Sequence, residues 1–119
     1  MKAEQFVDEL YSRTYNNRLQ WVRGSNGFER YESYELVGEN NTKVVIRMFD
    51  VSHYEADGDV YISPQCILEI KNENGQELGC IYPDDLSDPS GLLKLYNAAK
   101  RDANDVDSIT DGFFGDGPG

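Results

Sequence analysis

Apolar residues recur at spacings of three and four from the start of the chain: Phe6, Val7, Leu10, Tyr11 and Tyr15. That spacing lays them on one side of a helix. It predicts a helix from about Ala3 to Tyr15, ended by Asn16-Asn17. The period then changes. Leu19 to Arg23 reads as a short strand, and Gly24-Ser25-Asn26-Gly27 is a cluster of turn residues. Phe28 to Val37 is a ragged second strand, followed by the turn Gly38-Glu39-Asn40-Asn41. Lys43 to Val51 carries a near-continuous apolar run, the pattern of a central strand covered on both faces, or on one face plus an edge.

Glu55-Ala56-Asp57-Gly58-Asp59 is a loop, and from Val60 to Ile70 the alternation is clean. Val60, Ile62, Cys66, Leu68 and Ile70 share a face. Pro64 lies on it and cannot donate to a ladder, so it marks an edge or a bulge. The next turn sets a register. A two-residue Asn74-Gly75 loop would place Ile70 opposite Gly79 and turn the next strand's apolar set the wrong way. A three-residue Glu73-Asn74-Gly75 loop places Ile70 opposite Leu78 and Leu68 opposite Cys80, with the apolar faces together. This second register is the expectation. It sets Cys66 opposite Tyr82 and diagonal to Cys80.

Asp88-Pro89-Ser90 opens the last helix, with Asp88 as cap and Pro89 at the first position. Leu92, Tyr96, Ala99, Ala103, Val106, Ile109 and Phe113 continue one stripe, which Asn104-Asp105 breaks in two. The predicted fold class is α+β: an N-terminal helix, an antiparallel meander of four to five strands, and a long C-terminal helix on one face of the sheet. One domain over residues 1–114 and a flexible glycine-rich tail over 115–119 complete the reading.

Charge adds a direction. Among 119 residues there are 22 Asp and Glu against 11 Lys and Arg, a formal net charge of -11. The first 36 residues are nearly neutral, so the acid is expected on the sheet and the C-terminal helix. Such a surface repels nucleic acid and anionic lipid, whose phosphates need Lys and Arg. It attracts basic partners. No run is long and apolar enough to span a membrane. The opening Met1-Lys2-Ala3-Glu4-Gln5-Phe6 has no apolar signal core, so a cytoplasmic protein is expected. Its two cysteines are read as reduced thiols in the core.

Catalytic chemistry finds little support in these residues. His53 is the only His, with Asp50, Glu55 and Asp57 nearby but no second His to make a metal site. Glu55, Asp57 and Asp59 around Gly58 fit a calcium loop poorly, because the glycine falls in the wrong place and a strand follows. No nucleophile elbow, phosphate loop or dinucleotide fingerprint occurs. No cofactor and no metal are expected, and the chain is read as a non-enzyme. Two surfaces stand out as partner-binding candidates. Trp21, Arg23, Arg30, Tyr31 and Tyr34 interleave aromatic and basic residues, as protein interfaces do, and as a cross-strand aromatic ladder stabilising a hairpin also does. Asp102, Asp105 and Asp111 mark an acidic face of the last helix.

The closing run from Leu92 to Arg101, with Val106-Asp107-Ser108-Ile109, resembles small proteins of bacteria and their mobile elements. Size and acidity resemble phage inhibitors of host defence, the anti-CRISPR proteins among them, and bacterial immunity proteins. The resemblance implies an inhibitor in the host cytoplasm whose partner is a basic protein, a nucleic-acid-binding complex or a toxin. It implies no direct contact with nucleic acid or membrane, and leaves a homodimer open. The alternatives are a small-molecule or nucleotide pocket between sheet and helices, serving a sponge or an enzyme, and an accessory subunit of a larger complex.

Overall fold

The computed structural model describes residues 1–16, 18–24, 31–104 and 112–113. Helix α1 runs Ala3–Tyr15, and helix α2 runs Gly91–Ala103. Between them lie β1 (Val22–Arg23), β2 (Tyr34–Val37), β3 (Lys43–Tyr54), β4 (Val60–Lys71) and β5 (Glu77–Ile81). The strands pair antiparallel in sequence order, so β3 is central. The α+β meander is therefore present, with α2 against the sheet and α1 against α2. The predicted Asn17 stop, the turn residues 25–27, the helical positions Val106 and Ile109 and the tail 115–119 lie outside the described residues.

Alternation explains the core. Val44, Ile46 and Met48 of β3 face Ile70, Leu68 and Cys66 of β4, and these pairs share one side of the sheet. They pack with Val7 and Leu10 of α1 and with Leu92, Leu95, Tyr96 and Ala99 of α2. Each large side chain taken fully out of water here contributes about 1.5–3 kcal/mol. On the other side of the sheet Ile67 is buried as well. Val45 is fully buried among charged neighbours on its face. There Arg47 meets Glu69 at 2.6 Å and Lys43 meets Glu35 at 3.6 Å.

Three hairpins close through one kind of turn. Gly38, Glu55 and Asn72 each donate their N–H to the carbonyl four residues on, leaving three residues in the loop. The third loop residue is left-handed each time: Asn41 (φ 63°), Gly58 (φ 91°) and Gly75 (φ 81°). The Glu73-Asn74-Gly75 loop is thus as expected. The register above it is not. Lys71 faces Glu77, but Ile70 faces Gly79, Glu69 faces Cys80 and Leu68 faces Ile81. Leu78 is the extra residue of a bulge, and it is exposed. The bulge corrects the face assignment: Ile81 enters the core beside Leu68, and Cys80 moves to the opposite face from Cys66. The physical gain is a larger aliphatic group in the core, while Tyr82 stays in water.

Three other boundaries differ from expectation. The first strand shortens to two residues, Val22–Arg23, and Trp21 just before it is buried. The second starts at Tyr34; its expected start at Phe28 lies outside the described residues. Helix α2 begins at Gly91, with Ser90 at the N-cap position but making no side-chain cap bond, so Pro89 lies outside it. Asp88 spends its carboxylate on the Ser90 hydroxyl (2.6 Å) and N–H (3.1 Å) instead of on helix N–H groups. These bonds, the nearby charge of Lys94 next, hold the Asp88 carboxyl below its ordinary range.

Candidate functional site

The aromatic and basic cluster is brought together, but the molecule consumes it. Trp21 is 1% exposed. Its indole Nε1–H donates to Thr14 Oγ1 at 2.8 Å, and Thr14 in turn donates to the Leu10 carbonyl at 2.7 Å. Its backbone N–H donates to Asp102 Oδ2 at 2.6 Å. Tyr34 is fully buried and meets Tyr96 edge to face, with ring centres 5.4 Å apart. The Tyr96 hydroxyl donates to the Glu32 carbonyl at 2.7 Å. Arg23 is exposed, yet its guanidinium donates to Asn104 Oδ1 at 2.6 Å and lies 3.4 Å from Glu32. Tyr31 is half-buried, with its hydroxyl 2.8 Å from Asp50 Oδ1.

Trp21 and Tyr34 are therefore corrected from surface anchors to core residues. An interface anchor must offer its area to solvent before a partner arrives, and these two have none to offer. Asp102 is a structural acceptor between β1 and α2. Arg30, Asp105 and Asp111 lie outside the described residues. The acidic helix face is also absent from α2 as described: Asp102 stands there alone against Lys94, Lys100 and Arg101.

Burial governs the titrating groups of this region. It raises the Tyr34 phenol, with the Glu32 charge adding to it, and pushes Tyr96 up to about 12. The Cys66 thiol, pointed at the Leu92 carbonyl 3.5 Å away, is also pushed up to about 12 by burial. Burial raises Cys80 as well. Both cysteines are free thiols, and neither has the lowered pKa of a nucleophile.

A different surface emerges from the sheet's uneven strand lengths. Strand β2 pairs with β3 only as far as Ile46, and β5 pairs with β4 only as far as Leu68. Beyond them, among the described strands, β3 and β4 run on as a two-stranded arm, with Tyr31 beside its base. Helix cover ends near Met48 and Cys66. The outer five pairs, from Asp50 opposite Pro64 to Tyr54 opposite Val60, extend about 17 Å past it at the usual rise. Tyr54, Val60, Tyr61 and Ile62 are 80%, 55%, 51% and 63% exposed. Tyr54, Val60 and Ile62 share one face; His53 and Tyr61 stack on the other at 4.6 Å. His53 Nε2 lies 2.6 Å from Ser63 Oγ.

The arm's polar chemistry is one-sided. Asp50, Glu55, Asp57 and Asp59 lie on it, and no Lys or Arg occurs between Arg47 and Lys71. The acids around Gly58 build the turn: Asp57 Oδ1 accepts the Asp59 N–H at 3.0 Å. Among the described residues no group of His, Cys, Asp and Glu is arranged to hold a metal. Bonded pairs alternate outward from Glu55 and Asp59, so Asp50 and Pro64 form a non-bonded pair. The N–H that proline lacks would have pointed to the open edge of β4, which is why Pro64 is tolerated and why it blunts that edge.

A second concave surface lies at the other end of β3. It is a pocket of 390 Å³ between α1 and the turn joining β2 to β3. Among the described residues, no helix is long and apolar enough to cross a membrane. No protein-family model, curated protein or solved structure matches this chain.

Proposed function

We propose that this chain is a non-enzymatic acidic binding protein that inhibits or neutralises a basic protein partner, and that the β3–β4 arm is its docking element. One observation carries the reading. The outer arm joins four exposed apolar side chains to the carboxylates of Glu55, Asp57 and Asp59 around its tip, in a stretch of sequence without Lys or Arg from residue 48 to residue 70. Exposed apolar residues grouped on one projection mark an interaction site. The surrounding acid selects a cationic partner and speeds its approach. A phage-encoded inhibitor of a nucleic-acid-binding defence complex, or an immunity protein for a toxin, would act this way in the host cytoplasm. The partner's basic groove would be blocked sterically, without turnover and without the chain itself touching nucleic acid or membrane.

The test is affinity capture with the wild type and a Tyr54→Ser, Ile62→Ser double variant, both checked for an unchanged melting temperature. The expected partner is basic, binds the wild type with steep salt dependence, and is lost with the variant. Equal capture by both proteins, or a partner with a neutral or acidic surface, overturns the reading.

A further inference from the structure

The 390 Å³ pocket between α1 and the β2–β3 turn has a floor made by Phe6, Leu10, Leu19, Leu36 and Val44. Ligand sites are concave, begin at about 300 Å³ and are mostly apolar. Water held against such a floor has few partners, and its release favours an apolar occupant.

The rim restricts the occupant's charge. Arg13 Nε donates to Glu9 Oε1 at 2.7 Å, so the two charges on the helix wall cancel. Across the mouth, Asn40 Oδ1 already accepts the Thr42 N–H at 3.1 Å, and the Gly38 N–H is given to the Thr42 carbonyl. A carboxylate ligand would have to share Arg13 with Glu9, against the field of a chain with net charge -11, and an ammonium would have to share Glu9 with Arg13. The terminal guanidinium N–H groups of Arg13 remain to donate to a neutral acceptor.

We propose that this pocket binds an uncharged amphiphile, an apolar chain ending in a hydrogen-bond-accepting group such as a hydroxyl, ester or amide. The site lies at the opposite end of β3 from the arm and does not depend on the arm's partner.

The experiment is a methyl NMR titration of the full chain with three eight-carbon probes: 1-octanol, octanoate and octylamine. The expected result is saturable shifts of the Leu10, Leu36 and Val44 methyls with 1-octanol, at an affinity at least tenfold above either charged probe. Two variants, Leu36→Trp filling the floor and Thr42→Phe closing the mouth, should abolish those shifts. Either one that keeps the wild-type spectrum elsewhere suffices. Three results overturn the proposal: no saturable shift, equal or stronger binding of a charged probe, or undiminished octanol binding in a folded variant.

Discussion

Trp21 gives its backbone N–H to Asp102 Oδ2 at 2.6 Å, joining positions 81 residues apart. The same residue's indole is hydrogen-bonded to Thr14 at the end of α1. One tryptophan therefore ties the last turns of both helices to the start of the sheet. Its role is to hold the two-helix layer in place, and the carboxylate at Asp102 is part of that fastening.

Asp102→Ala should thus destabilise the fold instead of weakening an electrostatic docking surface. A charge-assisted hydrogen bond to a part-buried N–H is worth about 1.5–3 kcal/mol. Urea unfolding should show a loss of that size, and Asp102→Asn should recover part of it. A loss below about 0.5 kcal/mol for Asp102→Ala would show that the bond carries no stability. Trp21→Ala, by the larger volume removed, should cost about 3–5 kcal/mol.

The hairpin turns make a cleaner case, because nothing but backbone conformation is at stake. A Cβ on Gly58 or Gly75 would touch nothing within 4 Å, yet both residues sit at positive φ. Gly58→Ala and Gly75→Ala should each cost about 1 kcal/mol. Asn41→Gly, at the matching position of the first hairpin, should be neutral or slightly stabilising. Chemical denaturation of the three variants checks the ordering; equal effects at Asn41 and Gly58 would contradict it.

Those turns were legible because glycine and asparagine announce a left-handed residue locally. The bounds of α1, Ala3–Tyr15, were legible from its spacing, but the stripe was not: Tyr11 and Tyr15 stack in water and Thr14 is buried in their place. The β4–β5 register was not, since turn chemistry could not decide whether Cys80 or Ile81 would enter the core. The bulge at Leu78 decided it. The start of α2 was misread because Asp88 has the chemistry of a cap but closes a turn on Ser90. Trp21 and Tyr34 misled for a deeper reason. The residue types that anchor interfaces are those that fill small cores, and composition does not separate the two. The arm escaped notice because Val60 and Ile62 alternate just as buried Leu68 does. Where helix cover stops is a property of the packed fold.

That last point yields a contrast within one strand. Ile62 and Leu68 lie on the same face of β4, one exposed and one fully buried. Ile62→Ser and Tyr54→Ser should each shift stability by no more than about 0.5 kcal/mol. Leu68→Ala should cost about 2–5 kcal/mol. Amides of Val51, His53, Tyr61 and Ser63 should also exchange faster than those of Val45 and Ile67, since two-stranded ribbons fray. Slow exchange throughout the arm would mean that something other than solvent covers it.

Cys66 and Tyr96 lead the protein's response to alkali, with burial raising Tyr34 and Cys80 in the same direction. Burial pushes the Cys66 thiol from an ordinary 9.0 up to about 12, and the Tyr96 phenol from 10.0 up to about 12. Both hold their protons more tightly in the folded chain than in the unfolded one. Stability from each is complete below its unfolded pKa and is lost as pH rises toward the folded value. The urea midpoint should therefore show no loss from these groups below about pH 9 and should fall between 9 and 12. The limiting slope is about 1.4 kcal/mol per pH unit for each group. Cys66→Ala should make the fall that begins near 9 shallower, leaving the contributions of Cys80, Tyr34 and Tyr96. At pH 8 the native Cys66 should resist a thiol reagent that labels it at once in urea. A midpoint constant from pH 8 to 11, or fast labelling of native Cys66, would show that the thiol is not held in the core between β4 and α2.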